Sequence, residues 1–138
     1  MARPTFKDIQ RYKEENIRFM QENRHEDGVE ELPCGVQYKI LTAGKGTVPS
    51  LKSMVKVHYR GTLIDGTVFD DSFARKKPAS FRVNELIKGW QEALVMMPAG
   101  SRWTLYIPYE LGYGSRACGD DIPAYSTLIF ELELQGVR

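Results

Sequence analysis

Residues 60–72, RGTLIDGTVFDDS, place the aromatic Phe69 directly before a pair of carboxylates, of which Asp70 is the first. Asp65-Gly66 lies between two short apolar runs, and this pattern predicts a β-hairpin with Phe69 and Asp70 on a half-buried strand. A carboxylate beside buried aromatics needs hydrogen-bond donors, because an unpaired buried charge is expensive. We therefore expect tyrosine hydroxyls or an arginine to hold Asp70 in an apolar pocket.

The motifs that most catalytic classes require are absent from the sequence. It contains no GxSxG, GxxxxGK[ST], GxGxxG or HExxH pattern. His25 stands at the polar end of a predicted helix and His58 on the solvent side of a predicted strand, and neither has an evident orienting partner. Cys34 and Cys118 match no metal-ligand spacing, so we expect no metal ion and no cofactor. Free thiols are favoured over a disulfide, a choice that depends on the compartment.

What remains is a set of aromatic residues on the predicted strands, helix and long loop. They are Tyr59, Phe69, Trp90, Tyr113 and Phe130. Taken singly, each is expected in the core, because aromatics supply much of the buried area of a small domain. Together with Asp70 they indicate a ring-lined pocket. Such a pocket would suit enolisation of a small carbonyl compound, with Asp70 as base and Tyr59 or Tyr113 polarising the oxygen.

An amphipathic helix is predicted over residues 5–27. Thr5 and Asp8 have the spacing of a capping box, and Gly28 is placed to end the helix. One arc of this helix is apolar and contains Phe6, Ile9, Ile17 and Met20. That face either packs on the following domain or pairs with a second copy of the helix, since the two patterns look alike over so few turns.

The proline-broken segment 30–33 predicts a boundary near residue 30, beyond which the apolar period becomes two. Alternating runs at 36–40, 55–60, 103–107 and 128–134 predict antiparallel strands with one solvated face, the first with Val36, Tyr38 and Ile40 inward. A helix starting at Asn84 as N-cap should cover the sheet through one apolar face: Leu86, Ile87, Trp90, Ala93 and Leu94. We expect an α+β fold, with residues 1–30 forming an N-terminal helix and residues 31–138 one domain.

Residues 109–126 follow neither period and are too long for an ordinary connection, so we interpret them as a binding loop. Nineteen basic and eighteen acidic residues are interspersed, which disfavours nucleic acid and anionic membranes as partners. No stretch approaches the roughly 18 apolar residues of a membrane span. A cytoplasmic location is expected if Met1 is the natural start, and a periplasmic one if a signal has been removed.

Several ordered motifs carry a family resemblance over residues 36–137: VHYRG at 57–61, GTVFDDS at 66–72, LIKGW at 86–90, LGYG at 111–114 and TLIFELEL at 127–134. Together they resemble the FKBP family, the macrolide-binding peptidyl-prolyl isomerases. The first helix and the segments 32–38 and 96–101 are similar to the bacterial branch related to macrophage infectivity potentiators. In that branch, extra N-terminal helices commonly make homodimers.

The resemblance implies a curved antiparallel sheet wrapped around one short helix, and a cofactor-free isomerase acting on proline-containing polypeptides. It also implies inhibition by macrolides of the tacrolimus or rapamycin type. The resemblance implies that Trp90 forms the pocket floor and that the walls are Tyr59, Phe69 and Phe130. Leu86 and Ile87 would line the edge, with the Ile87 amide donating to a bound carbonyl, while Tyr113 would hydrogen-bond the ligand and Ile122 would close the rim. Asp70 would be a polar acceptor in the wall, tied to Tyr59 and to an arginine such as Arg75.

Two departures from the family pattern affect this expectation. Ala79 stands after Pro78 where an aromatic is expected, so one wall should be thinner, and CGDD at 118–121 replaces a largely apolar loop tip. Both keep an alternative open, namely a peptide-binding module or chaperone that uses the same groove without useful isomerisation.

Overall fold

The computed structural model describes residues 3–138 as one antiparallel sheet with a helix on each side. The helices are α1 (Phe6–Asn23) and α2 (Lys88–Leu94), and 3-10 turns cover Val83–Glu85 and Tyr109–Leu111. The strands are β1 (Val29–Glu31), β2 (Gln37–Thr42), β3 (Met54–Thr62), β4 (Val68–Asp71), β5 (Ala79–Arg82), β6 (Arg102–Ile107) and β7 (Leu128–Val137). No helix among the described residues is both long and apolar enough to cross a bilayer.

Strand β3 organises the sheet. The spatial order is β1-β2-β6-β7-β3-β4, and β5 pairs with the first half of β3 while β4 pairs with its second half. All pairings are antiparallel. The α+β prediction of a curved antiparallel sheet around one short helix, preceded by an N-terminal helix, is confirmed.

The inner face of the sheet packs against α2. Alternate residues of β3, β6 and β7 are buried, as the period of two predicts: Val55, Val57, Tyr59, Trp103, Leu105, Ile107, Leu128, Phe130, Leu132 and Leu134. Trp90, Ala93 and Leu94 of α2 complete this core. Burying each large side chain contributes about 1.5–3 kcal/mol, so this layer dominates the stability of the domain.

Helix α2 begins at Lys88 rather than at Asn84, so the predicted N-cap is wrong. The amide of Asn84 donates instead to the Leu51 carbonyl at 3.0 Å, within the 3-10 turn. Leu86 and Ile87 are extended, with ψ of 167° and 152°. Tertiary pairing of the turn has overridden the local capping preference.

Helix α1 has the predicted capping box: Thr5 Oγ1 accepts from the Asp8 amide at 3.1 Å and Asp8 Oδ2 accepts from the Thr5 amide at 2.9 Å. The helix ends at Asn23, four residues earlier than predicted, and turns follow it to Gly28, which has φ +80°. The predicted break near residue 30 is occupied by β1, an edge strand whose outer side tolerates glutamates.

The buried side of α1 contains only Met20 of the predicted apolar arc. Asn16, Met20 and Asn23 are buried, whereas Phe6 is 75% and Ile17 38% exposed. The reason lies in β2, where Gln37 is fully buried under the helix, donates to the Met20 carbonyl at 2.9 Å and accepts from Asn23 Nδ2 at 2.8 Å. The expectation that Ile40 points inward is correspondingly wrong, because that side chain is 49% exposed.

Gly89 lets α2 approach the sheet. A Cβ at this position would collide with the side chain of Ile107 on β6. We predict that Gly89→Ala lowers the free energy of unfolding by about 1–3 kcal/mol through overpacking, even though alanine favours helix. Gly136→Ala, whose Cβ would lie 3.9 Å from Lys56 Cβ, should change it by less than about 0.5 kcal/mol. Urea denaturation measures both, and a Gly89→Ala protein as stable as the parent would contradict this packing.

Candidate functional site

A cavity of about 540 Å³ opens between β3, β4, β5, the start of α2 and residues 109–126, which we call the rim loop. All nine residues expected at the site line this cavity: Tyr59, Phe69, Asp70, Leu86, Ile87, Trp90, Tyr113, Ile122 and Phe130. Phe81, Glu85, Cys118 and Asp121 line it as well. The structure thus brings together residues that lie up to 71 positions apart.

Trp90 forms the floor of the cavity and is 5% exposed. Its indole meets the rings of Tyr59, Phe130 and Phe81 edge to face, at centroid distances of 5.2, 5.0 and 6.2 Å. Phe69 packs on Phe130 in the same manner at 5.5 Å. Rings in this arrangement stabilise one another without filling the space above them, so the walls are apolar and the cavity stays open.

The wall that was expected to be thin contains an aromatic ring. Ala79 and Phe81 occupy the same face of β5, two residues apart, and pair with Val57 and Val55 of β3. Phe81 reaches the cavity and packs on both Trp90 and Tyr59. Phe81, which was not among the predicted site residues, therefore supplies a ring to the wall beside Ala79. The period of two, applied one step beyond Ala79, was the signal that could have found Phe81.

Asp70 is held by two donors, as predicted. The Tyr59 hydroxyl donates to Asp70 Oδ2 at 2.7 Å, and Arg75 Nη1 donates to Oδ1. Burial alone would raise the pKa of Asp70, but the hydrogen bonds from Tyr59 and Arg75 outweigh it and the pKa lies below its ordinary value. Burial, with the bond to Asp70, raises the pKa of the Tyr59 phenol.

This electrostatic arrangement argues against a base at Asp70. A carboxylate with a depressed pKa and both oxygens already occupied is a weak proton acceptor near neutral pH. Enolisation of a small ketone therefore loses its proposed base. Asp70 instead fixes the orientation of the Tyr59 ring in the cavity wall.

Two residues that line the cavity, Ile87 and Tyr113, carry hydrogen-bond donors. The Ile87 amide precedes α2 and has no acceptor within residues 3–138. Tyr113, on the rim loop, is 40% exposed. Burial is the main cause that raises the pKa of its phenol, and the nearby Cys118 thiol and Asp70 carboxylate raise that pKa further. The hydroxyl therefore keeps its proton at neutral pH and can donate a hydrogen bond. Ile122 is 6% exposed and is fixed by a backbone bridge to Cys118.

The charged side chains that line the cavity are all carboxylates, and no Lys, Arg or His of residues 3–138 lines it. Asp70 is neutralised by Arg75, and Glu85 lies 3.7 Å from Arg82. Asp121 has no ion pair within the described part of the chain. The mouth of the cavity is therefore locally acidic, although the whole chain carries a net charge of +1.

Comparison with known proteins agrees with this geometry. A family model described as FKBP-type peptidyl-prolyl cis-trans isomerase matches residues 45–135, which is more than half of the chain. A second, described as the domain amino terminal to FKBP-type peptidyl-prolyl isomerase, matches residues 2–40.

The chain belongs to the FKBP-type peptidyl-prolyl cis-trans isomerases.

Individual FKBP-type proteins show how far the similarity extends. The chain is 50% identical over 120 residues to the FKBP-type 22 kDa peptidyl-prolyl cis-trans isomerase of Escherichia coli, covering 87% of this chain and 58% of that protein. It is 48% identical to the outer membrane protein MIP of Legionella longbeachae, in a match that covers 87% of this chain and 52% of that protein. The chain thus spans little more than half the length of these two relatives.

A solved FKBP-type structure matches nearly end to end. The crystal structure of a peptidyl-prolyl cis-trans isomerase from Pseudomonas syringae superposes with a TM-score of 0.88 at 36% identity, covering 99% of this chain and 98% of that one. FkpA from Escherichia coli superposes with a TM-score of 0.90 at 39% identity, covering 96% of this chain and 62% of that one. Both matches therefore include helix α1 as well as the sheet.

Of the remaining sequence candidates, His58 and Cys34 do not line the FKBP cavity. His58 points to the other face of β3, where Nδ1 lies 2.6 Å from Ser72 Oγ and the ring stacks on Phe73 at 4.6 Å. The expectation of a solvated surface histidine missed these partners. Cys34 and Cys118 are free and exposed, and only Cys118 lies at the cavity.

The pairing of Asp70 should appear as a pH-dependent stability. Because its folded-state pKa is depressed, ionised Asp70 stabilises the fold above about pH 5, and this contribution is lost as pH falls through the folded-state pKa. We predict that the parent is more stable than Asp70→Asn at pH 7 and that the difference shrinks below about pH 4. Urea denaturation of both proteins from pH 7 to 3 measures it. A difference independent of pH would contradict the pairing.

Proposed function

We propose that this chain accelerates the cis–trans rotation of X-Pro peptide bonds in polypeptides by binding them in the ring-lined cavity. The observation that carries the proposal is an open, apolar cavity with hydrogen-bond donors among its lining residues and a paired carboxylate in its wall, in a chain of the FKBP-type family. No covalent bond has to be broken in this reaction, so the absence of nucleophile and metal-site motifs from the sequence is consistent with it.

The physical task is to lower a rotational barrier. Conjugation stiffens the prolyl amide, giving a barrier of roughly 18–20 kcal/mol and uncatalysed times of tens to hundreds of seconds. At the twisted transition state conjugation is lost and the amide is less dipolar than at either planar end. Water solvates the planar forms better, so transfer into the apolar cavity lowers the barrier.

Hydrogen bonds at the cavity edge add to this effect. In the proposed complex the Ile87 amide donates to the bound carbonyl and the Tyr113 hydroxyl donates from the rim loop; in support, both residues line the cavity and the Ile87 amide has no acceptor within residues 3–138. A donor that meets the carbonyl better in its rotated orientation stabilises the transition state more than the bound substrate. Each 1.36 kcal/mol removed from the barrier gives a tenfold rate gain, so about 5 kcal/mol gives between three and four orders of magnitude.

Asp70 provides a direct test. Replacing it by valine removes the acceptor that orients Tyr59, and we predict at least a tenfold loss of isomerase kcat/KM on a Phe-Pro peptide with native far-UV circular dichroism. Asp65→Asn, in the turn of the same β3–β4 hairpin but outside the cavity, is the matched control and should keep parental activity. A folded Asp70→Val protein with unchanged turnover would remove Asp70 from the site.

The acidic mouth suggests a substrate preference. We propose that X-Pro segments flanked by Lys are favoured over those flanked by Glu, because Asp121 attracts a cation at the rim. At low salt, Asp121→Asn should reduce the preference roughly three- to tenfold, and 0.5 M salt should weaken it as well. Asp120→Asn is the control, since that neighbouring residue does not line the cavity. Equal kcat/KM for Lys- and Glu-flanked peptides would refute the preference.

We also propose that α1 pairs with a second copy of itself through its exposed apolar residues. Phe6 and Ile17 lie on the same side of the helix and are 75% and 38% exposed. Sedimentation should give a dimer for the parent and for Glu15→Gln, which is exposed on the opposite side of the helix, and a monomer for the double variant Phe6→Glu, Ile17→Glu. A monomeric parent would refute the pairing. Macrolide binding at the cavity stays a prediction of the family resemblance.

A further inference from the structure

The rim loop supplies four of the residues that line the cavity: Tyr113, Cys118, Asp121 and Ile122. It connects β6 to β7 and has one short 3-10 turn and one isolated bridge, so little regular structure holds it. Loops of this kind are usually the least stable parts of a domain. Helix α1, on the outer side of the sheet, contacts both ends of this loop.

The first set of contacts joins α1 to the residues that follow the rim loop. Asn16 is fully buried, and its Oδ1 accepts from the Thr127 amide at 2.7 Å. Its Nδ2 donates to the Tyr12 carbonyl at 2.7 Å, which fixes the amide orientation. Asn16 therefore satisfies a buried backbone donor at the start of β7 that would otherwise have no acceptor.

The second set acts one residue earlier, at the end of the loop. Tyr12 Oη lies 2.9 Å from Ser126 Oγ, and Ser126 Oγ donates to the Pro123 carbonyl at 2.6 Å. Because a serine hydroxyl has one hydrogen, Tyr12 is the donor in its bond to Ser126. The helix thereby reaches the residue that follows Ile122 through a chain of two hydrogen bonds.

The third set brings the two ends of the loop together. The rings of Tyr109 and Tyr125 pack edge to face at 5.0 Å, and Lys13 Nζ lies 4.7 Å from the Tyr125 ring centroid and 5.9 Å from that of Tyr109. Tyr125 has φ +65°, a left-handed conformation that is uncommon for a large aromatic and persists where its surroundings hold it. Its amide donates to the Gly114 carbonyl at 2.9 Å, beside Tyr113.

We propose that α1 is a positioning element of the isomerase site. Through Tyr12, Lys13 and Asn16 it holds both ends of the rim loop, so that Tyr113 and Ile122 stand at the cavity before a substrate arrives. This inference rests on the proposed isomerase function for its kinetic part, but not for the ordering of the loop. Without the helix contacts, substrate binding would have to order the loop, which weakens binding of the ground and transition states alike.

The test compares two asparagines of the same helix in the full chain. Asn16→Ala removes the acceptor for the Thr127 amide, whereas Asn23→Ala removes the bond to Gln37 of β2, away from the loop. Amide hydrogen exchange followed by NMR should show faster exchange at Gly114, Cys118 and Tyr125 in Asn16→Ala only. With a Phe-Pro peptide, Asn16→Ala should raise KM roughly three- to tenfold and leave kcat within about twofold.

A raised KM with a nearly unchanged kcat separates a positioning role of Asn16 from a general loss of stability. A variant that is merely less folded has fewer active molecules, which lowers apparent kcat and leaves KM unchanged, the result expected of Asn23→Ala if it is destabilised. If Asn16→Ala does not fold, Tyr12→Phe removes only the hydroxyl bond to Ser126 and should give the same pattern with a smaller KM change.

Two results would overturn the proposal. The first is hydrogen exchange at the rim loop that is equally fast in Asn16→Ala and Asn23→Ala, with Tyr12→Phe taking the place of Asn16→Ala if that variant does not fold. The second is a parental KM in both Asn16→Ala and Tyr12→Phe. Failure of the proposed function looks different. In that case the parent protein does not accelerate cis–trans exchange of the peptide. Amide hydrogen exchange at the rim loop still decides whether α1 orders the loop.

Discussion

The indole of Trp90 lies between the rings of Tyr59 and Phe130, with interplanar angles of 81° and 89°. In this edge-to-face arrangement each ring is stabilised by its neighbours, so the cavity walls need no occupant to hold their shape. The backbone makes room for the rings at Gly61, where a Cβ would press on Phe69 and Phe130. The cavity therefore follows from how four strands, β3, β4, β5 and β7, and the helix α2 present their aromatics.

A carboxylate within such a wall has to be paired, because an unpaired charge there is costly, and the Asp70 site meets this requirement. Tyr59 supplies a hydroxyl from the adjacent strand, and Arg75 supplies its guanidinium from the turn after β4. The carboxylate is thereby kept ionised and occupied, so it orients a ring rather than exchanging protons with a substrate. The same logic applies to α1, where buried asparagines are bonded to Thr127 and Gln37 and specify how the helix sits on the sheet.

The parts that the sequence predicts well are those with local physical causes. Alternation on β3, β6 and β7 identifies the inner face because successive side chains of any strand point to opposite sides. The capping box at Thr5 is local as well. The donors to Asp70 were anticipated because an acid among rings needs them, although Arg75 could be named only through the family resemblance.

What escaped prediction depends on contacts between distant segments. The buried face of α1 contains Asn16, whose partner Thr127 is 111 residues away, and no helical periodicity reports such a bond. Asn84 was placed at a helix start because its type favours caps, but its amide is bonded to Leu51. Phe81 shares one face of β5 with Ala79, but its place in the cavity wall depends on the pairing of β5 with β3, which local sequence does not report.

The central claim is that the cavity accelerates a conformational change instead of only binding a peptide. Magnetisation exchange between the cis and trans resonances of a short Phe-Pro peptide tests it most directly, with the protein present in catalytic amounts. The account predicts exchange that becomes faster in proportion to protein concentration. Peptide chemical-shift changes that report binding, with cis–trans exchange as slow as in buffer, would contradict it.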